Sequence, residues 1–434
     1  MLTVEDFEAR AAAIQGEHPF LLLFTSGTTG RQKGVRLSQD SIVRALEAGG
    51  PATARTERDI GLHLLPFGHI AGHDQFVLAV AQGHTLLLIA SREDLQAALA
   101  LRPTYLFSVP LVYERIRMQV LAQLDRLPGP LRRLLHGALE AAMRFRVERK
   151  PAFGDRLLTR VLDALLGRKV RTALGGRVEG LFAGGAPASE ALFRFFEALG
   201  IPMVELYGMS ETAGMISGNL FSGPRRPGIA GLVTPDHEVR IAEDHELLLK
   251  GPLLLTSYLE AEDNAGAYTE DGFFRTGDLA ELDGEGWLRI IGRKKHLMVL
   301  STGKKIPPEP VETAIGAESP FEGAMLLGDG KRFVGIGLEG LEVKDHGGGV
   351  AGAVAVVTAV GDVATRPGVR PGQALKRGGE ADAPLCRFAV MRFSRYRLGA
   401  KSLNIAGPAT GGRIALEESA ASRDRFGSFG LSRL

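Results

Sequence analysis

One stretch of this sequence gathers groups that suit a phosphate. Residues 25–34 read "TSGTTGRQKG", directly after the apolar run Leu21–Phe24. Gly27, Gly30 and Gly34 let the backbone turn its N–H groups toward an anion. Thr25, Ser26, Thr28 and Thr29 add hydroxyl donors, and Lys33 adds a point charge. The G-x-x-x-x-G-K-[ST] pattern of a Walker loop is absent, because Lys33 is followed by Gly34. A hydroxyl-rich surface turn is the plain alternative. A second cluster, "LHLLPFGHIAGHD" (62–74), holds His63, His69 and His73. It reads either as a metal set or as packed structural histidines. A third, "GRKKHLMV" (292–299), could pass for a nucleic-acid patch, yet four basic residues are a small footprint for one.

The elements around these residues must place them. Leu21–Phe24 reads as a buried strand, and "LSQDSIVRALEAGG" as a helix ended by Gly49 and Gly50. Strand, glycine loop and helix together would make the phosphate-binding unit of α/β proteins. "HTLLLIA" (84–90) and "PTYLFSVP" (103–110) read as strands with a helix between them. Residues 111–176 give three helical patterns in a row, rich in Leu and Arg: a helical insertion in the α/β body. "VEGLFAGGAP" (178–187) and "PMVELYGMSETAG" (202–214) again set glycine loops behind apolar strands. Short alternating runs with turns from Gly228 to Ile291 predict a β-rich subdomain.

The whole chain sets bounds. Its 434 residues suggest two or three domains. Hydrophobic residues make up 45% and charged residues 24%, as in soluble globular proteins, and the formal charge of +2 gives no argument for nucleic acid. The single cysteine, Cys386, excludes a disulfide framework and a cysteine-based zinc site. The N-terminus lacks an apolar h-region, and the uncharged run Gly347–Gly361 is too short for a membrane span. The expected location is cytoplasmic.

The motifs together resemble the adenylate-forming superfamily, and are most similar to long-chain fatty acyl-CoA synthetases. "TSGTTGRQKG" resembles its phosphate loop, "FAGGAP" its adenine loop, and "LYGMSETAG" its Tyr-Gly-x-[ST]-Glu motif. "FRTGDLAELDGEGWLRIIGRKK" resembles its ribose-binding Thr-Gly-Asp and hinge. The resemblance runs from about residue 20 to 335. It implies an α/β adenylate-forming-enzyme-like large domain whose first subdomain is missing, a β-rich subdomain, and a small, atypical C-terminal domain. The boundaries read as 1–227 for the ATP-binding part with its insertion, 228–291 for the β-rich part, 292–343 for the hinge and the start of the C-terminal domain, and 344–434 for the tail.

The chemistry implied is ATP-dependent activation of a fatty acid to acyl-AMP, then transfer to CoA. A fatty acyl-AMP ligase serving a carrier protein, and a truncated, impaired nucleotide-binding relative, are the alternatives. Joining two anions calls for charge neutralisation. The resemblance implies that Lys33 and Thr25–Gly30 hold ATP phosphates, that Thr28 and Glu211 bind Mg²⁺, and that Tyr207, with Gly208 beside it, stacks on adenine. Gly185, Ala186 and Pro187 would wall the base, Asp278 would accept the ribose hydroxyls, and Arg293 would meet ribose or phosphate. His69 would stand beside the acyl carboxylate. A solvated loop acid for Glu211, a core aromatic for Tyr207, a turn aspartate for Asp278 and a surface charge for Arg293 remain as alternatives. The substrate class implies peripheral contact with membranes.

Two departures from the family stand out. Only about twenty residues precede the phosphate loop, where the family has a long α/β subdomain. Uncovered apolar surface is therefore expected, with a partner chain or self-association covering it. The family's late catalytic lysine also lacks its usual setting; Lys401 is the nearest candidate. From Arg366 onward, 13 Lys/Arg stand against 5 Asp/Glu among many Gly and Ala, so most of 344–434 is expected to be poorly ordered or loosely packed.

Overall fold

The structure, a computed structural model, describes residues 3–26, 31–89, 91–235, 237–318, 323–329, 334–344 and 350–358. In chain order the elements begin with α1 (Val4–Ala12), β1 (Pro19–Ser26), β2 (Gln32–Ser38), α2 (Gln39–Thr53), β3 (Ile60–His63), α3 (Ile70–Gln82) and β4 (Thr85–Leu88). Then come α4 (Leu95–Ala100), β5 (Tyr105–Ser108), α5 (Pro110–Asp125), α6 (Gly129–Ala142), α7 (Asp155–Leu162) and α8 (Arg168–Ala173). Next are β6 (Gly180–Ala183), α9 (Glu190–Ala198), β7 (Met203–Met209), β8 (Gly214–Gly218), β9 (Gly231–Val233), β10 (Glu238–Ile241) and β11 (Glu246–Lys250). β12 (Ser257–Tyr258), α10 (Ala261–Asn264), β13 (Phe274–Leu282) and β14 (Trp287–Arg293) follow. The last described elements are β15 (Met298–Val299), β16 (Lys305–Ile306), α11 (Pro308–Glu318), β17 (Gly323–Leu327), β18 (Gly335–Lys344) and β19 (Val350–Thr358).

Among the described residues an 11-stranded sheet runs in the order β10-β11-β13-β14-β9-β8-β7-β6-β5-β3-β4. Its half from β4 to β7 is parallel. From β7 outward every pairing is antiparallel. The β-rich stretch thus continues the same sheet. β5 and β6 carry almost uninterrupted buried residues, as strands covered on both faces must. The helical insertion lies over this half. Leu106, Leu181, Tyr113, Ile116, Leu139, Leu162, Phe193 and Phe196 form one core between them.

Two expectations are corrected. The glycine loop does not open a helix. It closes a hairpin, with β1 antiparallel to β2 in the register Leu23↔Val35 and Thr25↔Lys33. "QKGVRLS" alternates with buried Val35 and Leu37, and β12 pairs on its far side, so sheet burial decides its state. The N-terminus of α2, capped by Ser38, therefore lies at the other end of β2 from the loop. Nor do Gly49 and Gly50 end α2. The helix runs on through Pro51 to Thr53, whose hydroxyl donates to the carbonyls of Gly49 and Gly50, and Ala54 caps it in the left-handed region. Buried Ala52 and Thr53 hold that last turn despite the glycine cost. Within the tail, β19 pairs antiparallel with β18. Cys386, Lys401 and the rest of the tail lie outside the described residues, as do Gly27, Thr28, Thr29 and Gly30.

Apolar side chains do stand in the open. Phe20, Leu22 and Phe24 alternate on the outer face of β1, and Phe76 and Val80 project from α3. Among the described residues no helix is long and apolar enough to cross a membrane.

Tyr113 ties the insertion to the sheet. It is fully buried, and its hydroxyl donates to the carbonyls of Leu106 (3.0 Å) and Phe182 (2.9 Å). Tyr113→Phe should cost about 1–1.5 kcal/mol. Calorimetry should show Tm falling by roughly 1–2 °C.

Candidate active site

The candidate site gathers where β7 gives way from parallel to antiparallel pairing. In open α/β sheets the crevice beyond the carboxyl ends of the strands is where ligands collect. The loop after β6 presents Gly185, Ala186 and Pro187 to solvent, with Gly185 at φ 79°. The motif after β7 turns tightly because Gly208 faces the carbonyl of Gly214, where a Cβ would sit 1.8 Å from that oxygen. Glu211 follows in a short 3-10 turn, Ser210–Thr212, and Thr212 fixes it by donating to the carbonyls of Met209 and Gly214.

Side chains from distant segments converge here. The Tyr207 hydroxyl donates to Asp278 Oδ2 at 2.6 Å, and Arg293 Nε lies 2.9 Å from Asp278 Oδ1. Asp278 and Arg293 face each other in the β13–β14 register. The Tyr258 hydroxyl donates to Glu211 Oε1 at 3.0 Å. Lys33 Nζ sits 4.9 Å from the centre of the Tyr258 ring and 3.6 Å from Asp263 Oδ1. Arg31 also pairs with Asp263, at 2.9 Å. Thr25 stands across the hairpin from Lys33. Leu23, Val35, Ile70, Ala213, Leu255, Tyr258 and Phe274 form the apolar core behind this cluster.

Electrostatics mark the same residues. Burial pushes the Glu211 carboxyl up, against the pull of the Tyr258 hydrogen bond and the Arg293 charge. Burial likewise pushes Asp278 up, opposed by Arg293 and by the Tyr207 hydroxyl. Tyr207 is driven well up by burial and by the Asp278 charge beside it.

Structure and sequence agree unevenly on the site residues. Lys33, Tyr207, Gly208, Glu211, Asp278 and Arg293 come together, with Gly185, Ala186 and Pro187 on the adjoining loop. His69 does not join them through any contact: it is exposed at the start of α3, and its ring makes no hydrogen bond or ion pair among the described residues. His63 is buried against Gln75 (2.9 Å) and stacked on Phe67, so it packs rather than ligates. No group of three or more metal-ligating side chains occurs among the described residues. Glu211 is one buried carboxylate with a single protein partner. That suits a cation held mostly by phosphates and water.

Sequence reasoning missed Tyr258, Asp263 and Glu205. The first two are drawn in by strand pairing across more than two hundred residues, which no local pattern signals. Glu205 stands two residues before Tyr207, and the alternation along β7 was its only signal. Its Oε1 accepts from Ala188 N at 3.2 Å, while its Oε2 is buried without a partner. It thereby pins the base of the Gly185–Pro187 loop.

ATP-bound MatB from Rhodopseudomonas palustris superimposes with a TM-score of 0.55 at 23% identity, covering 79% of this chain and 58% of that one. O-succinylbenzoate coenzyme A synthetase from Bacillus subtilis, in complex with AMP, gives 0.55 over 74% of this chain and 59% of that one, also at 23% identity. The fold is therefore that of the adenylate-forming enzymes. Residues 3–259 match the AMP-binding enzyme family, and the chain belongs to it. It is 32% identical over 378 residues to the long-chain-fatty-acid–CoA ligase FadD15 of Mycobacterium bovis, covering 83% of this chain and 61% of that protein. To the human long-chain-fatty-acid–CoA ligase ACSBG1 it is 31% identical over 350 residues, covering 75% and 48%. It thus spans about half to three fifths of the length of these relatives.

The state of Glu205 is testable through stability. Burial pushes its carboxyl up to about 8 from an ordinary 4.5. An acid raised in the fold contributes stability that is complete below its unfolded pKa and is lost as pH rises toward the folded value. That window runs from about pH 4.5 to about pH 8. Glu205→Gln, a neutral mimic, should match the parent near the acid end of the window. Near its alkaline end it should be more stable by about 1–3 kcal/mol. Equal pH dependence of Tm in the two proteins would refute a buried, protonating Glu205.

Proposed function

We propose that this protein activates a fatty acid with ATP. The acid's carboxylate attacks the α-phosphorus, the bond to the bridging oxygen of pyrophosphate breaks, and acyl-AMP and pyrophosphate form. The thiol of CoA then attacks the acyl carbon, and AMP leaves with the bonding electrons as the thiol proton is given up. The observation that carries this reading is the buried Asp278, bonded at once to half-buried Tyr207 and exposed Arg293 beside Glu211, on an AMP-binding fold. The names of the long-chain-fatty-acid relatives support the substrate class.

The roles follow from the groups. Asp278 is an acceptor suited to the paired hydroxyls of ribose, and Arg293 neutralises it or a phosphate. The exposed Gly185–Ala186–Pro187 edge and the Tyr207 ring give the adenine a flat seat. Lys33, half-buried at the hairpin end, supplies charge to the outer phosphates along with Thr25 and the loop 26–30. Glu211, with Thr28, would hold Mg²⁺, which the Bacillus subtilis synthetase carries in its complex with ATP. The ion would screen the phosphate charges. His69, being unbonded, is free to meet the acyl carboxylate.

A second reading is a nucleotide binder that does not complete adenylation. Lys33, which rests against Asp263 at 3.6 Å, favours it. Hydroxamate trapping of acyl-AMP across a panel of fatty acids, with and without CoA, separates the two.

Lys33→Ala removes a charge-assisted contact worth about 1.5–3 kcal/mol, so titration calorimetry should show ATP binding weakened by roughly tenfold to a hundredfold. Asp278→Asn should weaken it by about tenfold through the lost acceptor charge. No ATP binding by the folded parent, or unchanged affinity in both variants, would remove the basis of the proposal.

A further inference from the structure

The helical insertion carries a surface that the nucleotide site does not use. On α7 the buried residues are Asp155, Thr159 and Leu162. Opposite that stripe, Leu157, Arg160, Ala164 and Arg168 recur every three to four residues, and all four are exposed. Phe153, just before the helix, is 109% exposed; Leu157 is 66% and Leu165 43% exposed. The turn Asp163–Gly167 is π-helical, and its wider winding keeps Leu165 near this face. α6 packs along α7 and adds exposed Leu131 and Leu134 to the insertion's surface.

Charge surrounds these apolar side chains. Between Arg149 and Arg171 the cations are Arg149, Lys150, Arg156, Arg160, Arg168, Lys169 and Arg171, and the acids are Asp155 and Asp163 alone. Both acids are already engaged. Asp155 accepts from Arg144 at 2.9 and 2.7 Å, and Asp163 from Arg146 at 2.9 and 2.6 Å. A shallow cavity of about 320 Å³ opens on this face, lined by Arg160, Asp163, Ala164, Arg168 and Arg171. Arg171 donates to the Leu199 carbonyl at its rim, whereas the guanidinium groups of Arg160 and Arg168 have no hydrogen bond or ion pair among the described residues.

We propose that this face of α7 docks on an anionic phospholipid surface. Phe153, Leu157 and Leu165 enter the interfacial layer, and the cavity between Arg160 and Arg168 seats a lipid phosphate. Side chains of this size in open water gain free energy on entering an apolar phase, and flanking cations attract anionic headgroups. Nucleic acid would satisfy the cations but leave Phe153 and Leu157 in water. The inference deepens the reading of a fatty-acid-activating enzyme, on which it rests for its purpose only: acids with long chains are held in membranes, and the insertion would bring the site to them.

The test uses the full chain and needs no turnover. Co-sedimentation compares vesicles of phosphatidylcholine with vesicles of equal parts phosphatidylcholine and phosphatidylglycerol. Binding is expected only to the anionic vesicles, and it should weaken as salt rises. Arg160→Glu with Arg168→Glu should reduce partitioning by about tenfold or more. Phe153→Asp with Leu157→Asp should reduce it similarly, while ATP affinity stays at the parent value in both pairs and reports an intact fold. Absence of vesicle binding by the folded parent, equal binding to both vesicle types, or parent-like binding by both double variants would overturn the proposal. So would self-association in light scattering that Phe153→Asp with Leu157→Asp abolishes while vesicle binding is unchanged, since the occupant would then be a second copy. ATP binding and vesicle binding are read separately, so either reading can fail without the other.

Discussion

Three carboxyl groups taken out of water at one end of a sheet set the terms for the rest of this molecule. Glu205, Glu211 and Asp278 are each pushed toward the neutral form chiefly by burial. Each is answered by one or two donors: Ala188 N, the Tyr258 hydroxyl, and the Arg293 and Tyr207 pair. Losing such a donor leaves a buried acceptor unpaired, which costs more than the hydrogen bond itself is worth. The surrounding elements must therefore hold still. The β13–β14 register fixes Asp278 against Arg293, and β12 on β2 fixes Tyr258 under Glu211. An arrangement with this much buried acceptor capacity at a strand end is poised for cations and hydroxyl donors, and a magnesium nucleotide brings both.

The two halves of the sheet divide the work. The parallel half, covered on both faces, is made rigid by a core of leucines and phenylalanines under the insertion. The antiparallel half gathers side chains from segments far apart in sequence. Between them lies the tight Gly208–Gly214 contact, which leaves no room for a side chain at the turn that orients Glu211. Asp278 and Arg293 stand on the second half, and the footing of the sheet comes from the first.

Much of this was legible in the sequence because the signals were local. β5, β6 and β7 are short apolar runs behind Pro or Gly, and the insertion's helices keep a clear leucine period. Tyr207, Glu211 and Asp278 each sit in a contiguous motif. β2 was hidden because "QKGVRLS" is mostly polar, and only its neighbours on both sides make it a strand. The helical spacing of α2 suggested a stop at Gly49 and Gly50. Its true end is set by the burial of Ala52 and Thr53, a tertiary fact. Tyr258 and Asp263 belong to no motif near the phosphate loop, and reach it only through folding. Glu205 looked like any polar residue in a strand, since the burial that raises its pKa comes from elements remote in sequence.

Arg293 is the last residue of β14, and Lys294 begins the 3-10 turn that leads away from the sheet. Arg293 is held to Asp278 on β13, and Lys294 is held at 2.6 Å to Asp244 and at 2.9 Å to Glu246. Two consecutive residues thus clamp the outgoing chain to three carboxylates. In mechanical terms the clamp is a fulcrum for the chain that leaves through the turn Lys294–His296. A pull on anything beyond that point is delivered first to Lys294 and then to Arg293. The grip on the site's central aspartate therefore doubles as a strain gauge for the segment that follows.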